Sequence, residues 1–410
     1  MPRYTHPKLV LLTIMLVSFL GSAGIALPYP ILSPYFMSGV DDPLIHFMGL
    51  DPKILLGISL AAYPFGLLIG SNIIGSLSDR YGRKPILVIT LIASVVGYIL
   101  TGLAIHYSSF VWFIITRMVT GFCEGNVSIA RAIATELHPH IDRKRAIALL
   151  FSTIYAGWMI GPLAGGYLMP FGVDFAFYAS SLAVLLSLFM VLFVLPSQPP
   201  QKTSILPFFQ EIRANHSIKF LKIPALKVFF LYYFIYSLGT NAFYEFYPLW
   251  LVEVLLFNSL DIAWTTLLLT SGMLIISIWF AGKIANVLGD KNTVLSGHIL
   301  LASAIAITTF LDEPWVFFSL LLAGATIPVI NVTFTAMLSQ NFGQLGEGKM
   351  MGLQITIFYF SNLLIALIGG VISMISAAAT LWLSAALVLF SITIFKEPKP
   401  IGNKPTTEYE

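Results

Sequence analysis

Apolar runs of roughly 20 residues recur along almost the whole chain, and that is the length a helix needs to cross the hydrocarbon core of a bilayer. They fall at 9–36, 54–75, 85–106, 109–131, 146–168, 173–195, 225–252, 262–282, 292–311, 314–338, 349–375 and 377–395. Backbone that enters lipid must satisfy its own hydrogen bonds, so these runs predict an all-α polytopic membrane protein of twelve transmembrane helices. A soluble globular protein is excluded, because 57% of the residues are hydrophobic and only 10% are charged. The first run follows Lys8 and contains Gly21-Ser22-Ala23-Gly24, small residues of the kind found at a signal-peptide cleavage site. It extends from Leu9 to Phe36, too long for a signal's apolar core, and reads as a span.

The sparse charges are ordered. If the spans alternate in direction, every Lys and Arg except Lys53 and Arg117 lies with the termini and the even-numbered connections. The opposite connections carry Asp41, Asp42, Asp51, Asp174, Asp261, Asp312 and Glu313, with Lys53 as their one base, and Arg117 lies within a span. Positive charge stays on the cytoplasmic side, so both termini are predicted to be cytoplasmic, in a plasma (bacterial inner) membrane. The net charge of +3 is small and gives no sign of a nucleic-acid partner. A single cysteine, Cys123, excludes an intramolecular disulfide framework.

The long connection divides six spans from six. Residues 1–195 form an N-terminal half, 196–224 a cytoplasmic linker, 225–395 a C-terminal half and 396–410 a cytoplasmic tail. The linker holds Pro196, Pro199, Pro200 and Pro207, and its basic portion from Glu211 to Lys227 suits anionic headgroups. Gly75, Asp79, Gly82 and Lys84 recur at one constant offset as Gly282, Asn286, Gly289 and Lys291. Arg145, Tyr155, Gly165 and Gly166 recur as Lys349, Tyr359, Gly369 and Gly370, and Tyr29-Pro30 as Tyr247-Pro248. The order of these matches predicts two pseudo-symmetric six-helix halves, an arrangement that can rock around a central site.

SDRYGRKP, Ser78 to Pro85, concentrates Asp79, Arg80, Arg83 and Lys84 in the connection between spans 2 and 3. Gly75 and Gly82 are expected to permit tight turning and close helix approach. Asp79 can pair with Arg83 or with a helix N-terminus, and Arg80 and Lys84 can hold inner headgroups. Fixing the inside by charge alone would require neither the glycines nor Asp79. In span 5, GWMIGPLAGG places Gly157, Gly161 and Gly165 every four residues, a smooth face for close packing, while Pro162 removes a backbone donor and bends the helix. An ordinary small-residue helix contact and a part in transport both fit that face.

Extended back to Gly75, GSLSDRYGRK resembles the signature loop of the major facilitator superfamily, with Gly75, Asp79, Arg80, Gly82, Arg83 and Lys84 at the expected positions. RMVTG, Arg117 to Gly121, is similar to that family's embedded-arginine motif, and GWMIGPLAGG, Gly157 to Gly166, resembles the motif that marks its drug:proton antiporter branch. The resemblance covers the whole chain, including the twelve spans and the six-plus-six division. It implies the major facilitator fold and secondary active transport by alternating access. It further implies that Asp79 and Arg83, with Glu136 at the inner end of span 4, form a charge cluster docking the two halves when the cavity faces outward. The second copy has Asn286 and Asp290 in place of Asp79 and Arg83, so the cluster is one-sided. In the second half only Gly369 and Gly370 survive of the span-5 motif, with Ala366 where Pro162 stands, an asymmetry that in the family accompanies exporters.

Ionisable residues within spans are costly and point to function. Arg117, Glu124 and Arg131 are spaced by seven, nearly two turns, so on one continuous helix they share a face with alpha carbons about 10.5 Å apart. With Gly121, Gly125 and Ser128 on roughly that face, it is expected to line a polar cavity. Low dielectric disfavours an ionised carboxyl in general, which makes Glu124 the first candidate for a coupling proton site. A permanent salt bridge to Arg117 or Arg131 is the alternative. Glu245 sits among aromatics in NAFYEFYPLW, which suits a lipophilic cation or, equally, an interfacial aromatic belt. The first span lacks the carboxylate many drug antiporters carry there, and offers Tyr29 and its neighbouring prolines. His298 is read as a proton relay or a simple polar contact.

Three weaker signals are set aside. GQLGEGKM, Gly343 to Met350, has Walker A spacing but no Ser or Thr at its end and follows a helix. Asn126 and Asn331 begin glycosylation triplets inside spans, and Asn215 begins one on the cytoplasmic side. His138 and His140 form a pair without further metal ligands. The expected function is proton-coupled export of a small amphipathic molecule, a drug-like compound or a siderophore or other metabolite. A metabolite importer or facilitator on the same fold, and a non-transporting receptor or scaffold, are the alternatives. No enzyme activity and no cofactor is expected beyond the proton gradient, and the partners are a small-molecule substrate, protons and the lipid bilayer, with the chain a monomer.

Overall fold

The computed structural model describes residues 6–137, 140–196 and 217–398. His138, most of the proline-rich linker with Arg213 and Asn215, and the tail from Lys399 lie outside them. No β-strand occurs among the described residues. By Cα proximity the chain divides into two compact units, Met1–Ala214 with Leu256–Leu267, and Asn215–Leu255 with Leu268–Glu410.

In the first unit the expected first span is two helices, α1 (Pro7–Ala26) and α2 (Tyr29–Phe36). Pro28 and Pro30 cannot donate to the helical ladder, and the carbonyl of Gly24, four residues before Pro28, accepts instead from Ser180 Oγ at 2.8 Å. The unit continues with α3 (Pro52–Tyr81), α4 (Arg83–His106), α5 (Phe110–Cys123), α6 (Val127–Glu136), α7 (Arg143–Leu168) and α8 (Val173–Val194). α3 is capped by Asp51, whose carboxylate accepts from the Lys53 amide at 2.8 Å. It runs on to Tyr81, two turns beyond the expected end of span 2, so the charged connection shrinks to Gly82 alone. Gly82 has φ +99°, a conformation costly for other residues, and serves at once as the end of α3 and the start of α4.

Small residues set the helix spacings. A Cβ on Gly165 would stand 1.9 Å from the Leu27 carbonyl oxygen, and Gly157 and Gly161 press equally on Phe19 and Ala23, so the Gly157-Gly161-Gly165 face of α7 lies against α1. Gly121 and Gly125 meet the backbone of α3 at Tyr63 and Ser71 in the same way. Their expected place on a cavity wall is therefore corrected: they are contact residues, since a missing side chain in lipid is most useful where two backbones approach. Gly75 does not make the close approach expected of it, because a Cβ there would meet only Ser128 Oγ at an ordinary 3.5 Å.

The second unit comprises α9 (Pro224–Leu255), all but the first turns of α10 (Ser259–Trp279), α11 (Ala281–Leu288), α12 (Asp290–Thr308), α13 (Trp315–Phe342), α14 (Glu347–Ser373) and α15 (Ala377–Ile394). Its core is aromatic: Phe334 stacks on Phe229 and Tyr233 at centroid distances of 4.6 and 4.2 Å. The internal repeat is visible in local geometry. Gly289 repeats the backbone of Gly82 (φ +78°, ψ 154° against φ +99°, ψ 150°) and joins α11 to α12. Ser384 donates to the Gly239 carbonyl as Ser180 does to Gly24, and Gly324 presses on Leu269 as Gly121 does on Tyr63.

Nine helical segments among the described residues are long and apolar enough to cross a membrane. The other three expected spans are helical but fall short for visible reasons. Span 4 is divided between α5 and α6, α9 carries Asn241, Glu245 and a series of tyrosines, and α12 opens on Asp290, Lys291 and Asn292. Ile89, Ile92, Val96, Ile99 and Leu103 form an exposed apolar stripe along α4, as do Leu182, Leu186, Phe189 and Phe193 along α8. Such stripes are stable only against lipid. The chain is a multi-pass integral membrane protein.

Candidate functional site

Glu124 ends α5 and begins a 3-10 turn, Glu124–Asn126, before α6. Arg117, Glu124 and Arg131 are thus not on one continuous helix, which corrects the expectation of a shared face. Gly125 and Asn126 are weak helix formers, and Gly125 is pressed against α3. Arg117 lies on α5 with its guanidinium 5.3 Å from the centre of the Tyr63 ring and 5.8 Å from that of Phe177. Arg131 lies on α6 over the ring of Phe151, 4.8 Å away.

Glu124 is 4% exposed. Its Oε2 accepts the hydroxyls of Tyr63, from α3, and of Tyr98, from α4, the latter at 3.1 Å. Tyr63 therefore bridges the two charges, with its hydroxyl on Glu124 and its ring beneath Arg117. Glu124 also borders a cavity of about 20 Å³ with Ser18, Gly21 and Ser22 of α1, Leu91 of α4, Ala130 of α6 and Val184 of α8. That space holds about one water molecule. Ser18 Oγ is buried there without a hydrogen-bond partner. The carboxyl is thus held by donors that stabilise its ionised form and faces a water-sized pocket.

The residues of the signature loop come together. Arg83 makes an ion pair with Asp79 at 2.5 Å and another through Nε with Glu136 at 3.0 Å, and it donates to Ser78 Oγ at 2.7 Å. Glu136 closes α6, so the cluster ties the α3–α4 junction to the end of span 4. Arg80 lies over the Tyr81 ring at 5.8 Å. Lys84 donates to the Leu192 carbonyl at 2.8 Å, at the negative end of α8. On α7, Pro162 lies within the helix, and Gly166 faces away from α1 towards Ser259 and Ala263 at the start of α10. Tyr29 meets the edge of Trp158 at 6.4 Å.

In the second unit Glu245 Oε1 accepts from Asn362 Nδ2 at 2.8 Å, and the same amide donates to Asn241 Oδ1 at 3.1 Å. Phe243, Phe246 and Tyr247 of the same stretch are buried and Tyr244 is half-buried. His298 is fully buried, with Nδ1 2.6 Å from the Val294 carbonyl and Nε2 3.1 Å from the Tyr232 hydroxyl. A carbonyl only accepts, so Nδ1 carries a hydrogen, and both ring nitrogens have partners within the unit. The sequence reading missed Tyr63, Tyr98, Ser18, Asn241 and Asn362. The two asparagines carried a usable signal, amides inside apolar runs; the tyrosines and the serine did not.

The profile of the Major Facilitator Superfamily matches residues 11–344 and 229–409. The chain belongs to the major facilitator superfamily. Among its relatives, the multidrug resistance protein 2 of Bacillus subtilis is 26% identical over 375 residues, covering 89% of this chain and 88% of that one. The class B tetracycline resistance protein of Escherichia coli is 22% identical over 408 residues, covering 96% and 98%. Among solved structures, the human organic anion transporter MFSD10 superposes with a TM-score of 0.70 at 19% identity, covering 95% of this chain and 99% of that one. The all-helical membrane architecture is that of the superfamily, whose members here are transporters.

Proposed function

We propose that the protein is a proton-coupled exporter of a small amphipathic molecule, working by alternating access as a monomer in a bacterial inner membrane with both termini cytoplasmic. The observation that carries this reading is the buried carboxyl of Glu124, held by two phenols beside a water-sized cavity. Full-length similarity to multidrug and tetracycline resistance proteins supports efflux and an amphipathic cargo. In the cycle, the ionised carboxylate accepts from Tyr63 and Tyr98; a proton arriving through the cavity turns an acceptor into a donor and forces that trio to rearrange. Arg117, over Tyr63, senses the change of charge. Asp79, Arg83 and Glu136 hold one conformation until the rearrangement releases them, and Gly157, Gly161, Pro162, Gly165 and Gly166 give α7 the smooth, bent surface along which it shifts. No cofactor other than the proton gradient takes part.

The test is flux in proteoliposomes with an imposed pH gradient, using a panel of lipophilic cations and ferric chelators, for the wild type and Glu124→Gln. Gradient-driven flux lost in the variant is the expected result. Flux that ignores the gradient and survives the substitution would establish a facilitator with a structural Glu124; no flux of any compound would favour a receptor or scaffold.

A further inference from the structure

The polar cluster of Asn241, Glu245 and Asn362 leaves one buried acceptor, Asn362 Oδ1, without a hydrogen-bond donor. Asn362, on α14, spends its Nδ2 on Glu245 Oε1 and Asn241 Oδ1. Turning the amide over would set its oxygen against both of those acceptors, so its orientation is fixed by its partners. Asn362 Oδ1 is consequently aimed away from them, buried and without a hydrogen-bond partner, on a residue only 8% exposed. Neighbouring donors are committed elsewhere: Asn241 Nδ2 points to the Phe358 carbonyl at 3.5 Å, and the Tyr244 hydroxyl to Met273 Sδ at 3.1 Å. A buried acceptor left unmade is costly, and a site that tolerates one awaits a donor.

We infer that Asn362 and Glu245 form the recognition point for a protonated amine bearing at least one N–H. The N–H donates to Asn362 Oδ1 and the positive charge lies against the Glu245 carboxylate. Asn241 is a positioning residue that holds the Asn362 amide. This deepens the proposed function and rests on it for the word substrate. It is narrower than a preference for lipophilic cations: a quaternary ammonium has the same charge and no hydrogen to give.

The experiment compares N,N-dimethyl-1-naphthylmethylamine, protonated at neutral pH, with its N-methylated quaternary salt by isothermal titration against the purified full-length protein in detergent. The expected result is binding of the amine at least about tenfold tighter, the scale of one hydrogen bond from a charged donor. In Asn362→Leu, similar in size but without the acceptor, the ratio of the two affinities collapses to about one, both ligands being read against the same variant. Should the variant fold poorly, the wild-type ligand pair decides alone. Equal affinities in the wild type, a preference that survives Asn362→Leu, or binding of neither cation overturns the inference. Because titration uses no gradient, those results leave proton-coupled export standing; loss of gradient-driven flux with the amine preference intact does the reverse.

Discussion

Two phenols on one carboxylate oxygen are a specific arrangement with a measurable consequence. A hydrogen bond to a charged group contributes about 1.5–3 kcal/mol, so deleting the Tyr98 hydroxyl withdraws a factor of about ten or more from the network that holds Glu124. Tyr98→Phe should slow gradient-driven flux in proteoliposomes by about that factor while leaving substrate affinity in detergent unchanged. An unchanged rate would reduce the two tyrosines to packing. Glu124 itself was legible from sequence because a carboxylate in an apolar run stands out. Its partners were not, since Tyr63 and Tyr98 belong to other helices and nothing in their local patterns marks them. The Asp79–Arg83–Glu136 cluster was legible only through resemblance, because Glu136 is distant in sequence from the loop it joins.

Glycines that look alike in sequence differ at the level of the helix pair. Gly165 leaves no room for a Cβ against Leu27, whereas Gly21, on α1, has nothing within 4 Å. Gly165→Ala should cost about 1–3 kcal/mol or more, as overpacking does, and lower the unfolding temperature of the detergent-solubilised protein by several degrees. Gly21→Ala should leave it in place or raise it. The signature loop divides in the same way: Gly82→Ala meets φ +99° and destabilises, and Gly75→Ala finds ordinary van der Waals space. Equal melting curves for Gly75→Ala and Gly82→Ala would refute the turn assignment. The helices themselves were legible from hydropathy, apart from their breaks. The Glu124–Asn126 turn arises where α3 presses on Gly125, a contact that hydropathy does not encode.

Across the whole molecule, the repeat preserves backbone geometry while the chemistry diverges. Gly82 and Gly289 turn alike, yet α3 runs unbroken into its junction while the second copy is interrupted at Phe280, and where the first copy has Asp79 and Arg83 the second has Asn286 and Asp290. The ion pairs of the first copy cannot form with the residues of the second, so the two halves are chemically unequal. The charge distribution predicts the junction after α11 to be cytoplasmic and the turn between α12 and α13 external. In a Cys123→Ala background, a single cysteine at Asp312, which is exposed in the external turn, should react with a membrane-impermeant maleimide on intact cells. One at Asn292, exposed at the start of α12, should react only after permeabilisation. The opposite pattern would invert the orientation, and protons flowing inward down their gradient would then pass the Arg83 cluster before reaching Glu124. Export would lose the geometry proposed for it, and import would become the reading to test.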